Sequence, residues 1–138
     1  MTRWVCPECG REFANANQGH FCEPAVPLEE VFEGRPSGQR EVYEALLAYL
    51  DTLGGVHADQ VRVGVFWKTD RKLAEVRPMA RALSVNLVLP RELHSPRVAL
   101  VNRYAADKVW HSIRLTSVDQ IDDELLGWLT EAYDYATD

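Results

Sequence analysis

Cys6, Cys9, His20 and Cys22 fall within one span of seventeen residues near the N-terminus, and no cysteine follows them. This cluster constrains the chain more than any other feature. Cys6 and Cys9 are spaced C-x2-C, with Pro7 between them and Gly10 behind. Two thiolates at that spacing reach one metal ion if the backbone turns tightly, and Gly10 tolerates the dihedrals on which such a turn ends. Ten residues on, His20 and Cys22 follow as H-x-C across an Asn- and Gly-rich loop. The resulting Cys3His set matches four-coordinate zinc. A disulfide would leave one of three cysteines over, and buried inert cysteines need neither the spacing nor the histidine. Four protein ligands close the coordination shell, so the expected Zn2+ is structural. It ties down a lobe, residues 1–23, too short to build a core of its own beyond Phe13 and Phe21.

The remaining chain must fold by ordinary burial. With 138 residues, 46% of them apolar and 26% charged, it has room for one globular domain and is a poor candidate for disorder. No apolar run approaches the roughly 20 residues that cross a bilayer. The first residues also lack the apolar stretch of a signal peptide. The expectation is a cytoplasmic protein with no membrane association, where clustered cysteines point to metal rather than disulfides.

Residues 24–37 hold Pro24, Pro27, Pro36 and Gly34 and read as a linker, with LEEVF forming one helical turn that places Leu28, Val31 and Phe32 on the main domain. The main domain, 38–138, opens on a helix over 38–53 capped by Ser37, with Val42, Leu46, Tyr49, Leu50 and Leu53 on one face, stopped by Gly54-Gly55. The period then changes to two. VRVGVFWK, KLAEVRP, LSVNLVLP, RVALVNRY and KVWHSIRL read as five strands, with KTDR as a hairpin turn. Their short connections imply an antiparallel meander. A last helix follows in TSVDQIDDELLGWLTEAYDYA, with a capping box from Ser117 to Gln120 and acids in its first turns. The fold class is α+β: a single antiparallel sheet of about five strands, one side covered by two helices, plus the N-terminal metal lobe.

Several of these segments together resemble a bacterial family known only as domain of unknown function 5655. They are VGVFWKTDRKLAEVRP, LSVNLVLPREL and VWHSIRLTSVDQIDDELLGWLTEAYD, and CPECG and NQGHFC are similar to the zinc motif of some of its members. The resemblance covers nearly the whole chain. It implies a zinc-containing bacterial protein of the cytosol and no particular activity. More distantly, the helix–sheet–helix order is similar to frataxin-like domains, some of which bind iron through acidic residues while others are suspected nucleic-acid binders. Glu41, Glu44 and Asp51 are too scattered for that iron chemistry.

Charge is distributed unevenly under the overall −6. Residues 60–115 hold eleven of the fifteen Lys and Arg against four acids, whereas 41–59 and 116–138 hold only acids. If the strands present these cations on the side away from the helices, Lys68, Arg77, Arg91, Arg97 and Arg103, with His111, form an anion site for nucleic acid or a phosphorylated ligand. Trp67, Trp110 or Phe66 would add a stacking surface. The competing reading is a solvated basic face with no ligand, and for His111 a satisfied core histidine. The net negative charge disfavours tight duplex binding and favours a small or single-stranded ligand. Two further functions compete: a protein-interaction or homodimer surface built on Trp110, Tyr133, Tyr135 and the linker, and a small-molecule enzyme using His94 or His111 as base. No nucleophile elbow, phosphate loop or open metal site supports catalysis.

Overall fold

The computed structural model describes residues 3–20 and 22–137. The chain starts with two short antiparallel strands, β1 (Trp4–Val5) and β2 (Glu12–Phe13), with Trp4 opposite Phe13. The knuckle forms the turn between them. Gly10 sits at φ 75° and donates its N–H to the Cys6 carbonyl at 2.8 Å, a conformation that a Cβ would strain. Phe13 is buried. Phe21, expected beside it, lies outside the described residues.

The linker segment is packed rather than loose. Ala25 bridges Val61, and the Val26 N–H donates to the Gln60 carbonyl. Helix α1 (Leu28–Val31) buries Val31, and Phe32 joins the same core. Helix α2 (Ser37–Leu53) begins after Pro36. Ser37 therefore occupies the first helical turn instead of capping it, and it makes no cap hydrogen bond. At the other end Gly54, at φ 132°, terminates the helix as expected.

The main sheet has six strands instead of five: β3 (His57–Val61), β4 (Gly64–Lys68), β5 (Lys72–Pro78), β6 (Leu83–Leu89), β7 (Val98–Ala105) and β8 (Lys108–Leu115). All pairings are antiparallel. The Val61–Trp67 alternation hides a turn at Arg62–Val63. Val63 is 47% exposed, and Gly64 lies so close to the next strand that an added Cβ would sit 2.4 Å from the Val76 carbonyl. The order is β3-β4-β5-β6-β8-β7, so the meander ends in a crossover. Burial explains this. Strand β8 brings Val109, His111, Ile113 and Leu115 to the core opposite Leu89, Leu87, Val85 and Leu83, and β7 is exposed along nearly its whole length.

The expected last helix is split. The Ser117–Gln120 capping box exists, but it closes a single 3-10 turn over Val118–Gln120. Helix α3 (Asp123–Ala136) starts afresh, its N-cap Asp122 accepting from the Leu125 N–H at 3.0 Å. Helices α2 and α3 lie together on one side of the sheet, joined by the 2.6 Å Tyr49–Thr130 hydroxyl contact. Trp67, Tyr43, Leu46, Leu50, Leu125 and Leu129 are fully buried between the layers. Among the described residues, no helix is long and apolar enough to cross a membrane.

Candidate metal centre and cationic cleft

Ligand atoms of Cys6, Cys9, His20 and Cys22 all lie within 4.8 Å of one another. The Cys9 and Cys22 sulfurs are each 3.4 Å from His20 Nε2, and the Cys6 and Cys22 sulfurs are 3.8 Å apart. Metal–sulfur and metal–nitrogen bonds of about 2.3 and 2.0 Å in a tetrahedron put ligand atoms about 3.5–3.8 Å apart, so the donor set fits a four-coordinate metal ion. The histidine is oriented for it. His20 Nδ1 donates to the Gln18 carbonyl at 2.6 Å, which leaves the Nε2 lone pair free to face the sulfurs. The Cys6 thiol pKa is pulled down to about 6, chiefly by the Cys9 backbone N–H, because amides pointed at sulfur favour the thiolate, whereas burial first of all pushes the Cys22 thiol up to about 12.

The lobe docks on the sheet face that the helices leave bare. Arg11, on the lobe, and Lys68, on β4, both reach the Asp59 carboxylate, at 3.3 and 3.0 Å. Two cations thus share one carboxylate, and all three side chains are at most 12% exposed. Burial lowers the Lys68 pKa from its ordinary value, and Asp59 opposes that shift. Phe13 fills the seam, with Lys68 Nζ 4.3 Å and Arg11 Cζ 5.2 Å from its ring centre.

Beside this seam opens a cavity of about 480 Å³. Among the described residues its lining includes six cationic side chains, Arg3, Arg11, Lys68, Arg71, Lys72 and Lys108, and two acidic ones, Glu23 and Asp70. Aromatic rings sit among them. Lys72 lies 5.0 Å from the Phe66 ring and 5.1 Å from the Trp110 ring, and Arg71 lies 5.7 Å from the Tyr135 ring. Lobe, sheet, β7–β8 hairpin and the end of α3 all contribute walls.

Of the six residues expected to form the anion site, the structure brings only Lys68 to this cleft. Arg77 is on the same sheet face but outside the cavity lining and pairs with Glu75 at 3.3 Å, a carboxylate that Lys72, within the lining, also reaches at 3.7 Å. Arg103 donates to the Ala106 carbonyl in its own hairpin. Arg91 grips Glu131 through two 2.9 Å bonds, and Arg97 reaches Asp122 at 2.7 Å and Glu124 at 3.4 Å, so both fasten the 90–97 loop to α3 on the helical side. His111 is fully buried, and its Nε2 accepts the Leu93 N–H at 2.9 Å. Its pKa is lowered, first by burial. Trp67 is buried under the helices and cannot stack on a ligand, whereas Phe66 and Trp110 are on the open face. The expected site lacked Arg3, Arg11, Arg71, Lys72 and Lys108. Arg71, Lys72 and Lys108 belong to the basic stretch 60–115, and Arg11 follows the knuckle directly, but nothing in the sequence pointed to Arg3.

Fold and site together define a helix-backed antiparallel sheet with a Cys3His lobe docked on its open face. The chain belongs to the family described as Domain of unknown function (DUF5655), which it matches over residues 28–136. That range runs from α1 to the end of α3. The Cys/His lobe lies outside it, so the match supports the main domain and not the metal motif. No curated protein and no solved structure matches the chain.

Proposed function

We propose that this protein is a binding module that holds phosphate groups in the cleft between a zinc-loaded lobe and the sheet. The source of the phosphate is a short single-stranded nucleic acid or a small phosphorylated molecule. The observation carrying this reading is the concentration of six cationic side chains against two acidic ones, among the described residues, around a single cavity, in a chain of net charge −6. Such a local excess attracts anions although the whole molecule repels them. The volume suits a ligand of nucleotide size and not a duplex, and the interleaved rings offer stacking partners for bases.

The test is calorimetric titration with pyrophosphate and with adenosine monophosphate, and anisotropy of a labelled single-stranded DNA decamer, at low and moderate salt. Affinity should fall steeply with salt for the decamer. Lys72→Glu or Lys108→Glu should weaken every phosphorylated probe by about tenfold or more, as loss of a charge-assisted contact does. Arg91→Glu, which alters only the α3 clamp, should leave binding unchanged. Absence of binding for all three probes at low salt removes the proposal.

A second reading rests on β7. This edge strand exposes Leu100 at 58% and Tyr104 at 52%, beside Trp110. A free strand edge with apolar side chains is a surface for a protein partner or a second copy. A rise of mass with concentration in sedimentation, abolished by Leu100→Lys, would favour it.

A further inference from the structure

The metal cluster and the cleft wall are one continuous piece of structure. We propose that metal occupancy at Cys6, Cys9, His20 and Cys22 and phosphate binding in the cleft are coupled, each strengthening the other. This inference rests on the cleft being a phosphate site, as proposed above.

His20 belongs to both features. Its Nε2 faces the cysteine sulfurs, while its ring lines the cleft and stacks on Phe13 with centres 4.0 Å apart and planes 28° from parallel. On Phe13 rest Lys68 and Arg11, two of the cleft's cations. A second route runs through the backbone. The Cys6 N–H donates to the Arg11 carbonyl at 2.9 Å, so the knuckle that presents the thiolates also fixes the residue carrying that guanidinium. Gln18, whose carbonyl orients His20, lines the cleft as well. Arg11, Phe13 and Gln18 are therefore each one contact from a residue of the Cys/His cluster.

Apart from its seam with the sheet, the lobe has little to hold it. Among its described residues, two two-residue strands and the buried Phe13 ring bury too little apolar surface to stay folded unaided. Metal binding then supplies the lobe's folding free energy, and with it the positions of Arg11 and His20. The sheet domain keeps its own core under α2 and α3 and does not depend on the lobe in this way. Linkage makes the effect reciprocal: whatever factor the metal adds to ligand affinity, the ligand adds to metal affinity.

The experiment titrates pyrophosphate into zinc-loaded and into chelator-stripped protein, with circular dichroism to verify that the sheet domain persists. The expected result is an affinity at least about tenfold lower in the stripped protein, within the usual range of such couplings. Pyrophosphate should correspondingly slow zinc transfer to a chromophoric chelator. Phe13→Leu separates coupling from damage to the cleft wall that Phe13 itself lines. It should retain one zinc per chain and all four ligands, yet its loaded and stripped forms should differ less in pyrophosphate affinity than those of the wild type, because the stack joining His20 to Lys68 is gone. Equal affinity of loaded and stripped wild type, or an undiminished loaded-to-stripped difference in Phe13→Leu, overturns the coupling and leaves the phosphate site standing. No binding to the zinc-loaded protein overturns both.

Discussion

His111 shows how one residue can be read correctly in position and still ambiguously in role. It alternates with Val109, Ile113 and Leu115, and the structure places it among them, opposite Leu87, with no exposed surface. Its Nε2 must stay unprotonated to accept the Leu93 N–H. Burial depresses its pKa below the ordinary histidine value, so the unfolded chain takes up a proton at a pH where the native chain does not. Stability is then full above the unfolded value of about 6.5 and falls as pH drops below it. Denaturant titrations at pH 5, 6 and 7 should show that loss. His111→Leu should flatten it, leaving the part owed to His57, whose pKa is lowered chiefly by burial. At pH 7 the same change should cost about 1–3 kcal/mol, because the Leu93 N–H is left buried without a partner. An unchanged pH slope would assign the effect elsewhere.

Among the elements, α3 carries the clearest local device. Asp122 caps its N-terminus and receives Arg97 from the 90–97 loop. The Leu125 N–H first, and Arg97 second, hold the Asp122 carboxyl below the usual carboxylate range. A depressed folded pKa gives stability that is present above the unfolded value of about 4 and vanishes as pH falls through the folded one. Asp122→Ala should therefore lower the melting temperature at pH 7, and its difference from the wild type should shrink toward pH 3. A difference that persists there would mean that packing, not the ionised cap, is responsible.

The same elements show what was legible in the sequence. Long amphipathic patterns gave α2, the body of α3 and most strands, because burial on one face leaves a period that reading can detect. The β3–β4 turn was hidden because Val63 continues the alternation while pointing to solvent. Strand β3, His57–Val61, was hidden because HADQV is mostly polar and is buried partly by the docked lobe, through Asp59 and Arg11. The crossover at β8 was out of reach, since strand order depends on which of two similar strands buries more. For the site, the Cys/His cluster stood out through fixed spacing. The cleft did not, because Arg3, Arg11, Lys72 and Lys108 come from separate parts of the chain and converge only once the lobe has docked.

At the scale of the whole molecule, charge is sorted by place. Arg91, Arg97 and Arg77 lie away from the cleft, in clamps to Glu131, Asp122 and Glu75. Among the described residues that line the cleft the cations outnumber the acids, with Arg11 and Lys68 sharing the carboxylate of Asp59 and Lys72 reaching Glu75 at 3.7 Å. This cleft, bounded by the Cys/His lobe and the open sheet face, is where we propose that the protein meets an anion. Amide NMR spectra of the zinc-loaded protein, recorded as pyrophosphate is added, test it most directly. The account predicts shifts concentrated at Arg11, Gln18, Lys68, Lys72 and Lys108, with Arg91, Arg97 and the body of α3 unmoved. Shifts centred on the α3 side, or none anywhere at low salt, would contradict it.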